Sequence, residues 1–473
     1  MGIDFSSFYI YKYRYWIGYG LVSVLLIGLL IFAGMFAPGG ITQSEMNSVV
    51  DSSNIVYKDI FSFAVPNLPY LLLQDLSTHL LGVSEFSIKL PSLVLAFASA
   101  IGLIILLRHW FKQNIAVLAS IIAVATGQFL FISQDGTPGI LYMLWSVWLL
   151  LIGTLIAKNI GPRMVWKILF CIIGALSLYT PLSVYAIVAV GIAAFLHPHL
   201  RYIIRRLSRP KLIIAISIGA FFVLPLVGGV IKSPEFGLEI LGIPKSLPDL
   251  MGNLTLLSRQ YFGFSAPSTS DILTPVFGLG SMLIIGFGAF KSIKTHASTQ
   301  SYLIMTWIIC LVPILLINPD FTSVTFLPMV LLLATGLDSL LGYWYRLFPR
   351  NPYARIGGLI PIIVLVVALV VSGISRYAYD YSYDPSTVSN FSRDLSLLPK
   401  NTSLLVVSEN QLPFYSTVAS KSDSALFIAT KPSGDTFTAT RNAKSDFTDY
   451  KVSQIITSSY TKDSDRFYVY KKI

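Results

Sequence analysis

Three groups of residues in this chain carry side chains that could move protons or bind phosphate. The first is residues 39–48, GGITQSEMNS. The glycine pair ends one helix, and Thr42 or Ser44 can cap the next, with Glu45 in its first turn. Two readings of Glu45 stay open: a carboxylate favoured by the helix N-terminus, or a general base held at a surface. The second group is the turn at residues 133–139, SQDGTPG, with Asp135. Its Gly and Pro residues suit a type I or II turn, so Asp135 is either a turn residue or a partner of Glu45. The third is the segment 232–270, with Glu235, Glu239, Asp249, Arg259, Gln260, Tyr261 and Phe262. Arg259 stands out there, because a guanidinium matches phosphate oxygens in geometry and charge. Lys58, Lys89 and His79 add cationic or titratable groups before residue 90. A lone histidine on a surface helix is more often structural than catalytic.

The elements that must position these groups are membrane helices. The chain has 473 residues, 54% apolar and 12% charged, with a mean hydropathy of +0.70. A soluble domain carries about 25% charged residues. Apolar runs recur that are long enough to cross roughly 30 Å of hydrocarbon as helices. Eleven spans are expected: 16–36, 88–107, 115–132, 139–157, 165–179, 181–196, 212–231, 271–290, 300–317, 321–341 and 356–375. No cleavage pattern follows the first run, and an aromatic, basic stretch from Tyr11 to Trp16 precedes it, so it reads as a retained anchor. Cys171 and Cys310 both fall inside apolar runs and form no disulfide or zinc framework.

Charge alternates between successive loops. One set holds Lys12, Arg14, Arg108, Lys112, Lys158, Arg163, Lys167, the basic cluster at 201–211, Lys291, Lys294, Arg346, Arg350 and Arg355, with Asp4 and Asp338 as its only acids. The other set holds nearly all remaining acids of the first 375 residues, Glu45 and Asp135 included. The positive-inside rule puts the basic set and the N terminus in the cytoplasm of a multi-pass cell-membrane protein. The net charge of +11 thus belongs to helix ends and does not imply nucleic acid. The segment 66–82 carries Gln74, Asp75 and His79. Counting it as a span would turn the 201–211 cluster outward, so it is expected to lie on the outer leaflet as an interfacial helix. The large outer loop is then 37–87, with a second at 232–270.

Beyond residue 375 the composition becomes polar. A helix at 386–398 and strands at 403–408, 425–429, 452–457 and 466–470 are expected. The chain thus divides into a transmembrane domain, 1–375, and a small extracytoplasmic α/β domain, 376–473.

A first span, an outer acidic residue, an interfacial P-x-x-P-Y helix ending in L-L-G and the FSIKLPS run at 86–92 resemble the GT-C superfamily of membrane glycosyltransferases. The resemblance is strongest to family 39, the protein O-mannosyltransferase and lipid A aminoarabinose transferase group. Residues 318–340, with a proline before an L-L-x-A-x-G-L run, extend it. The family usually has Asp-Glu after the first span, and this chain has Ser44-Glu45; the family Asp at the start of the fourth span is replaced by Gly139, with Asp135 upstream.

The resemblance implies transfer of a sugar from a polyprenyl-phosphate donor to a glycan, lipid or protein acceptor at the outer face. Glu45 and Asp135 are the expected catalytic residues, and Ser44, Lys58, His79, Lys89, Arg259 and Tyr261 the expected substrate-binding ones. One base without a nucleophile partner suits a single, inverting displacement. No cofactor is certain; a divalent metal is possible, but no residue set indicates one. Two other readings of the same features are a transporter or flippase of lipid-linked saccharides and an inactive scaffold that binds them. A transporter would place acids and broken helices near the bilayer midplane.

Overall fold

The computed structural model describes residues 41–57, 63–246, 248–264, 275–347, 359–380, 394–399, 402–421, 426–457 and 465–473, with Gly357 and scattered positions between 16 and 28. The helices, in chain order, are α1 (Gln43–Ser53), α2 (Leu68–Leu81), α3 (Glu85–Trp110), α4 (Gln113–Val124), α5 (Gly127–Gln134), α6 (Ile140–Ala157), α7 (Arg163–Ser177), α8 (Val184–Leu196), α9 (Pro198–Arg205), α10 (Arg209–Lys232), α11 (Pro234–Ile240), α12 (Leu250–Phe262), α13 (Leu279–Lys294), α14 (Thr299–Ile317), α15 (Phe326–Leu347), α16 (Leu359–Asp380), α17 (Asp394–Leu397) and α18 (Leu412–Ser420).

Six described helices are long and apolar enough to cross a membrane, or eight if each bent pair is one span. The expected count of eleven is therefore not reached among the described residues. Most of the expected first span, 16–36, lies outside them. α7 and α13 fall on expected spans but have 15 and 16 residues, about 22–24 Å at 1.5 Å per residue.

One expected span is bent, and another ends at a bend. The run 115–132 splits into α4 and α5 at 59°. Thr126 ends the first helix by donating to Ala123 O and opens the second by accepting from Phe129 N. The run 181–196 continues through His197 into α9 at 94°, where Pro198 sits in the first turn of the new helix.

α2 has 14 residues, about 21 Å, and is not among the candidate spans. Leu73, Leu76 and Leu80 project from one side, while Tyr70, Gln74, Ser77 and Thr78 pack inward. That division is the one an interfacial helix needs. α13 and α15 approach most closely at two glycines. A Cβ on Gly336 would lie 2.1 Å from the Ile284 carbonyl oxygen, and one on Gly288 would lie 1.9 Å from that of Leu332. Lys291 and Asp338 pair at 2.6 Å across the same two helices.

The C-terminal unit is a five-stranded sheet of β1 (Leu404–Val406), β2 (Phe427–Ala429), β3 (Thr436–Thr440), β4 (Tyr450–Thr457) and β5 (Asp465–Lys472), in the order β2-β1-β3-β5-β4. β1 pairs parallel with β2 and β3, and β5 pairs antiparallel with β3 and β4. β3 and α18 are additions to the expected elements, and of the expected helix at 386–398 only its end falls within the described residues. On one face of the sheet Phe437 stacks on Tyr470 at 4.9 Å. The other face meets Phe414, Tyr415 and Val418 of α18, which pack on Met46 and Val49 of α1. Lys421 donates to Asp75 at 2.8 Å and to Thr78 at 2.9 Å. The C-terminal unit is therefore seated on α1 and α2.

Candidate active site

The site begins with a cap. Thr42 precedes α1 in extended conformation, and its hydroxyl accepts from Glu45 N at 3.1 Å. Glu45 answers by accepting from Thr42 N through Oε2 at 3.1 Å. This capping box satisfies two donors that a helix start leaves open. Glu45 is nevertheless fully buried, because its other oxygen reaches a different element. Oε1 accepts from Gly136 N at 2.9 Å and lies 3.5 Å from Lys89 Nζ. One oxygen of the Glu45 carboxylate thus caps the helix, and the other holds the 135–136 turn and an ammonium. Gly136 is required there, since a Cβ would lie 2.8 Å from Ile88 Cγ2 and 3.0 Å from Glu45 Oε1.

Lys89 is in the second turn of α3, ahead of Pro91. A proline has no N–H, so the carbonyl of Ser87 loses its helical partner. Ser77 of α2 donates to it at 2.6 Å. Gln74, also buried on α2, donates to Ile88 O at 3.2 Å and to Gly136 O at 3.0 Å, and accepts from Ser48 of α1 at 2.7 Å. One amide therefore ties α1, α2, α3 and the turn after α5 together. Tyr70 and Ser92 share a hydrogen bond of 2.9 Å, and Ser92 donates to the Asp135 carbonyl.

Asp135 follows the last residue of α5. Thr137 donates to its Oδ2, and no described residue donates to its Oδ1. Burial pushes its carboxyl up to about 7, and the negative charge of Glu45 adds to the rise; the Thr137 hydrogen bond and Lys89 oppose it. Two carboxylates and one ammonium, from three separate elements, therefore meet at a single buried point. A group with a pKa near neutrality can accept a proton and release it again at physiological pH.

A second polar cluster lies further along α5. Gln128 and Asp135 are seven positions apart, two helical turns, so they share a face about 10 Å apart. Gln128 donates to Thr322 at 3.1 Å, in the 3-10 turn Thr322–Thr325. Tyr261 of α12 hydrogen-bonds Thr325 at 2.7 Å. Its neighbour Gln260 is fully buried, and neither its side-chain oxygen nor its nitrogen has a partner. Gln134 accepts from Tyr377 at 3.0 Å, while its amide nitrogen is unpaired. Buried amides with open valences are rare and mark places where a polar ligand or water completes the set.

Among the residues expected from sequence, the structure brings Glu45, Asp135 and Lys89 into one cluster. Tyr261 is in the second cluster, and Arg259 is exposed on the same helix. Ser44 is exposed beside Glu45, and His79 is exposed on α2, where its charge acts on Asp75. Lys58 lies outside the described residues. No group of three or more His, Cys, Asp or Glu side chains arranged to hold a metal occurs among the described residues. Sequence reasoning did not single out Tyr70, Gln74, Ser92, Gln128, Gln134, Thr322 or Thr325. An uncharged polar residue inside an apolar run, as at Gln128 and Gln134, was the available signal.

Comparison with known proteins adds to this geometry. Residues 66–227, about a third of the chain, match the model of the dolichyl-phosphate-mannose-protein mannosyltransferase family. No curated protein matches the sequence. Among solved structures, ArnT from Cupriavidus metallidurans bound to undecaprenyl phosphate is similar with a TM-score of 0.53 and 11% identity, over 96% of this chain and 98% of that one. An apo structure of the same protein is similar with a TM-score of 0.53 and 12% identity, over 97% and 98%. The oligosaccharyltransferase of Archaeoglobus fulgidus tethered to an acceptor peptide is similar with a TM-score of 0.52 and 14% identity, over 87% of this chain and 64% of that one. Taken with the family match, these similarities give the chain the fold of the GT-C membrane glycosyltransferases.

Proposed function

We propose that the protein is a multi-pass membrane glycosyltransferase that moves a sugar from a polyprenyl-phosphate donor to an acceptor at the outer face of the cell membrane. The observation that carries this reading is the buried meeting of Asp135, Glu45 and Lys89. The name of the similar ArnT structure, bound to undecaprenyl phosphate, supports the donor class. The charge pattern of the loops supports the outer face.

Asp135 is the proposed base. Its Oδ1 takes the proton of the acceptor hydroxyl as that oxygen bonds to the sugar's anomeric carbon. The bond from that carbon to the lipid phosphate breaks, and the phosphate leaves with the electron pair. Lys89 is the nearest described cation to this site and steadies the departing charge. Glu45 is a positioning residue, since both of its oxygens are occupied. The Gln128, Gln260, Thr322 and Tyr261 cluster supplies polar groups for the sugar or phosphate. With one available base and no free nucleophile among these groups, the displacement is single and inverting.

Purified protein in liposomes, given donor with a radiolabelled sugar and membrane lipid extract as acceptor, tests the activity. The expected result is loss of donor with stoichiometric release of polyprenyl phosphate. Transbilayer movement of intact donor without its cleavage would instead establish the transporter reading.

A further inference from the structure

A cavity lies at the far end of α6 from Asp135, among the basic ends of the helices. Its volume is about 550 Å³, and α6, α7, α8, α9 and α14 enclose it. Leu149, Phe170, Ile203 and Leu303 are among its apolar walls, and Lys158 and Lys167 both line it. Lys158 is exposed beyond the end of α6 and donates to the His109 carbonyl. Lys167 is in the second turn of α7 and only 6% exposed.

Lys167 has no hydrogen bond or ion pair with any described residue. Three polar residues of the lining, Trp110, Thr154 and Gln300, are engaged with one another, and His199 adds no negative charge. Trp110 donates to Thr154 at 2.9 Å, and Gln300 donates to the Trp110 carbonyl at 3.2 Å. Asp338, the acid that the loop pattern puts on this side among the described residues, is bound to Lys291. The Lys167 ammonium opens onto an apolar-walled cavity without a counter-ion among the described residues, a setting that favours an anion from outside the chain. The cavity's walls are apolar, so such an anion carries hydrocarbon as well as negative charge.

We propose that this cavity binds an anionic phospholipid, its phosphate between Lys167 and Lys158 and an acyl chain along the apolar wall. A basic pocket between membrane helices on the cytoplasmic side is a recurrent setting for such headgroups. The site is independent of the transfer reaction proposed above and stands whether or not that reaction is correct.

The full chain, purified and delipidated in neutral detergent, is titrated with phosphatidylglycerol, phosphatidylcholine or inorganic phosphate. Binding is read by native mass spectrometry and by the melting temperature. Phosphatidylglycerol is expected to bind the wild type and raise its melting temperature. Lys167→Met is expected to weaken that binding by about tenfold. It is also expected to raise the melting temperature of the lipid-free protein, because an unpaired buried charge is gone. Lys167→Arg is expected to retain binding. Equal phosphatidylglycerol affinity in wild type and Lys167→Met would overturn the proposal. So would phosphatidylcholine binding as tightly as phosphatidylglycerol, which would mean chain occupancy alone. Inorganic phosphate matching phosphatidylglycerol would reassign the site to a soluble anion.

Discussion

Replacing Lys89 with methionine tests the buried ion pair at its strongest point. The substitution keeps an unbranched side chain of similar length, so packing changes little. It leaves Glu45 fully buried, still accepting from Thr42 N and Gly136 N. What it removes is an ammonium 3.5 Å from Oε1. At that separation the gross attraction is on the order of 5 kcal/mol with an effective dielectric of about 20. Desolvation of both ions offsets much of it, but that cost is fully exposed when one partner is deleted. The expected loss of stability is roughly 3–5 kcal/mol. Glu45→Gln alone takes from the buried Lys89 the carboxylate 3.5 Å away and is expected to cost a similar amount. The double variant removes both charges, and its cost should fall well below the sum of the singles. A coupling of about 2 kcal/mol or more is expected from a double-mutant cycle. Equilibrium unfolding of the purified protein in mixed micelles measures it. Additivity within about 0.5 kcal/mol would show that the two side chains do not interact, and the site would lose its organising contact.

Four further outcomes follow from the same geometry. Asp135 is held above its ordinary range by burial and by Glu45, so activity as a base should fall as pH drops through about 7, and Glu45→Gln should move that midpoint down; a pH–rate profile reads both. For stability the sign is opposite to a salt-bridged carboxylate. A raised folded pKa favours the folded state below 3.8 and progressively loses that contribution up to about 7, so Asp135→Asn should flatten the fall in melting temperature between pH 4 and 8. Gly336→Ala brings a Cβ against the Ile284 carbonyl and should cost about 2–3 kcal/mol by thermal unfolding; an unchanged melting temperature would refute the close approach of α13 and α15. Single cysteines at the exposed positions Ser208 and Ser233 should label from the cytoplasmic and outer sides respectively, and outward labelling at 208 would reverse the topology.

The legible part of this fold is the part written in long, uniform runs. The spans 139–157, 212–231 and 300–317 each become one helix, the apolar window outweighing an internal proline at Pro225 and Pro313 in the last two. The exclusion of α2 from the candidate spans is legible from polarity: Gln74, Asp75 and His79 interrupt its apolar residues, and α2 buries Gln74 while exposing Leu76 and Leu80. The bends are hidden, because hydropathy sums residues and does not register that Thr126 caps a helix inside an apolar run. β3, with the sequence TFTAT, has one large apolar residue among threonines and an alanine, yet it is central between β1 and β5 and buries Phe437, Thr438, Ala439 and Thr440.

The site shows the same division. Glu45, Asp135 and Lys89 carry charge in an apolar chain and draw notice. Their meeting depends on Gln74 and the carbonyl freed by Pro91, contacts between distant residues that no local pattern encodes. Ser44 is instructive: the serine that stands where the family pattern has an acid points to solvent, and the second carboxylate beside Glu45 comes from the turn at 135.

The most direct measurement is the turnover of a polyprenyl-phosphate sugar by purified wild type and Asp135→Asn in the same liposomes. Loss of a general base predicts a fall in kcat of roughly 10²–10⁴-fold with the protein still folded. Wild-type turnover in Asp135→Asn would contradict the assignment of Asp135 as the base and, with it, the central claim for this site.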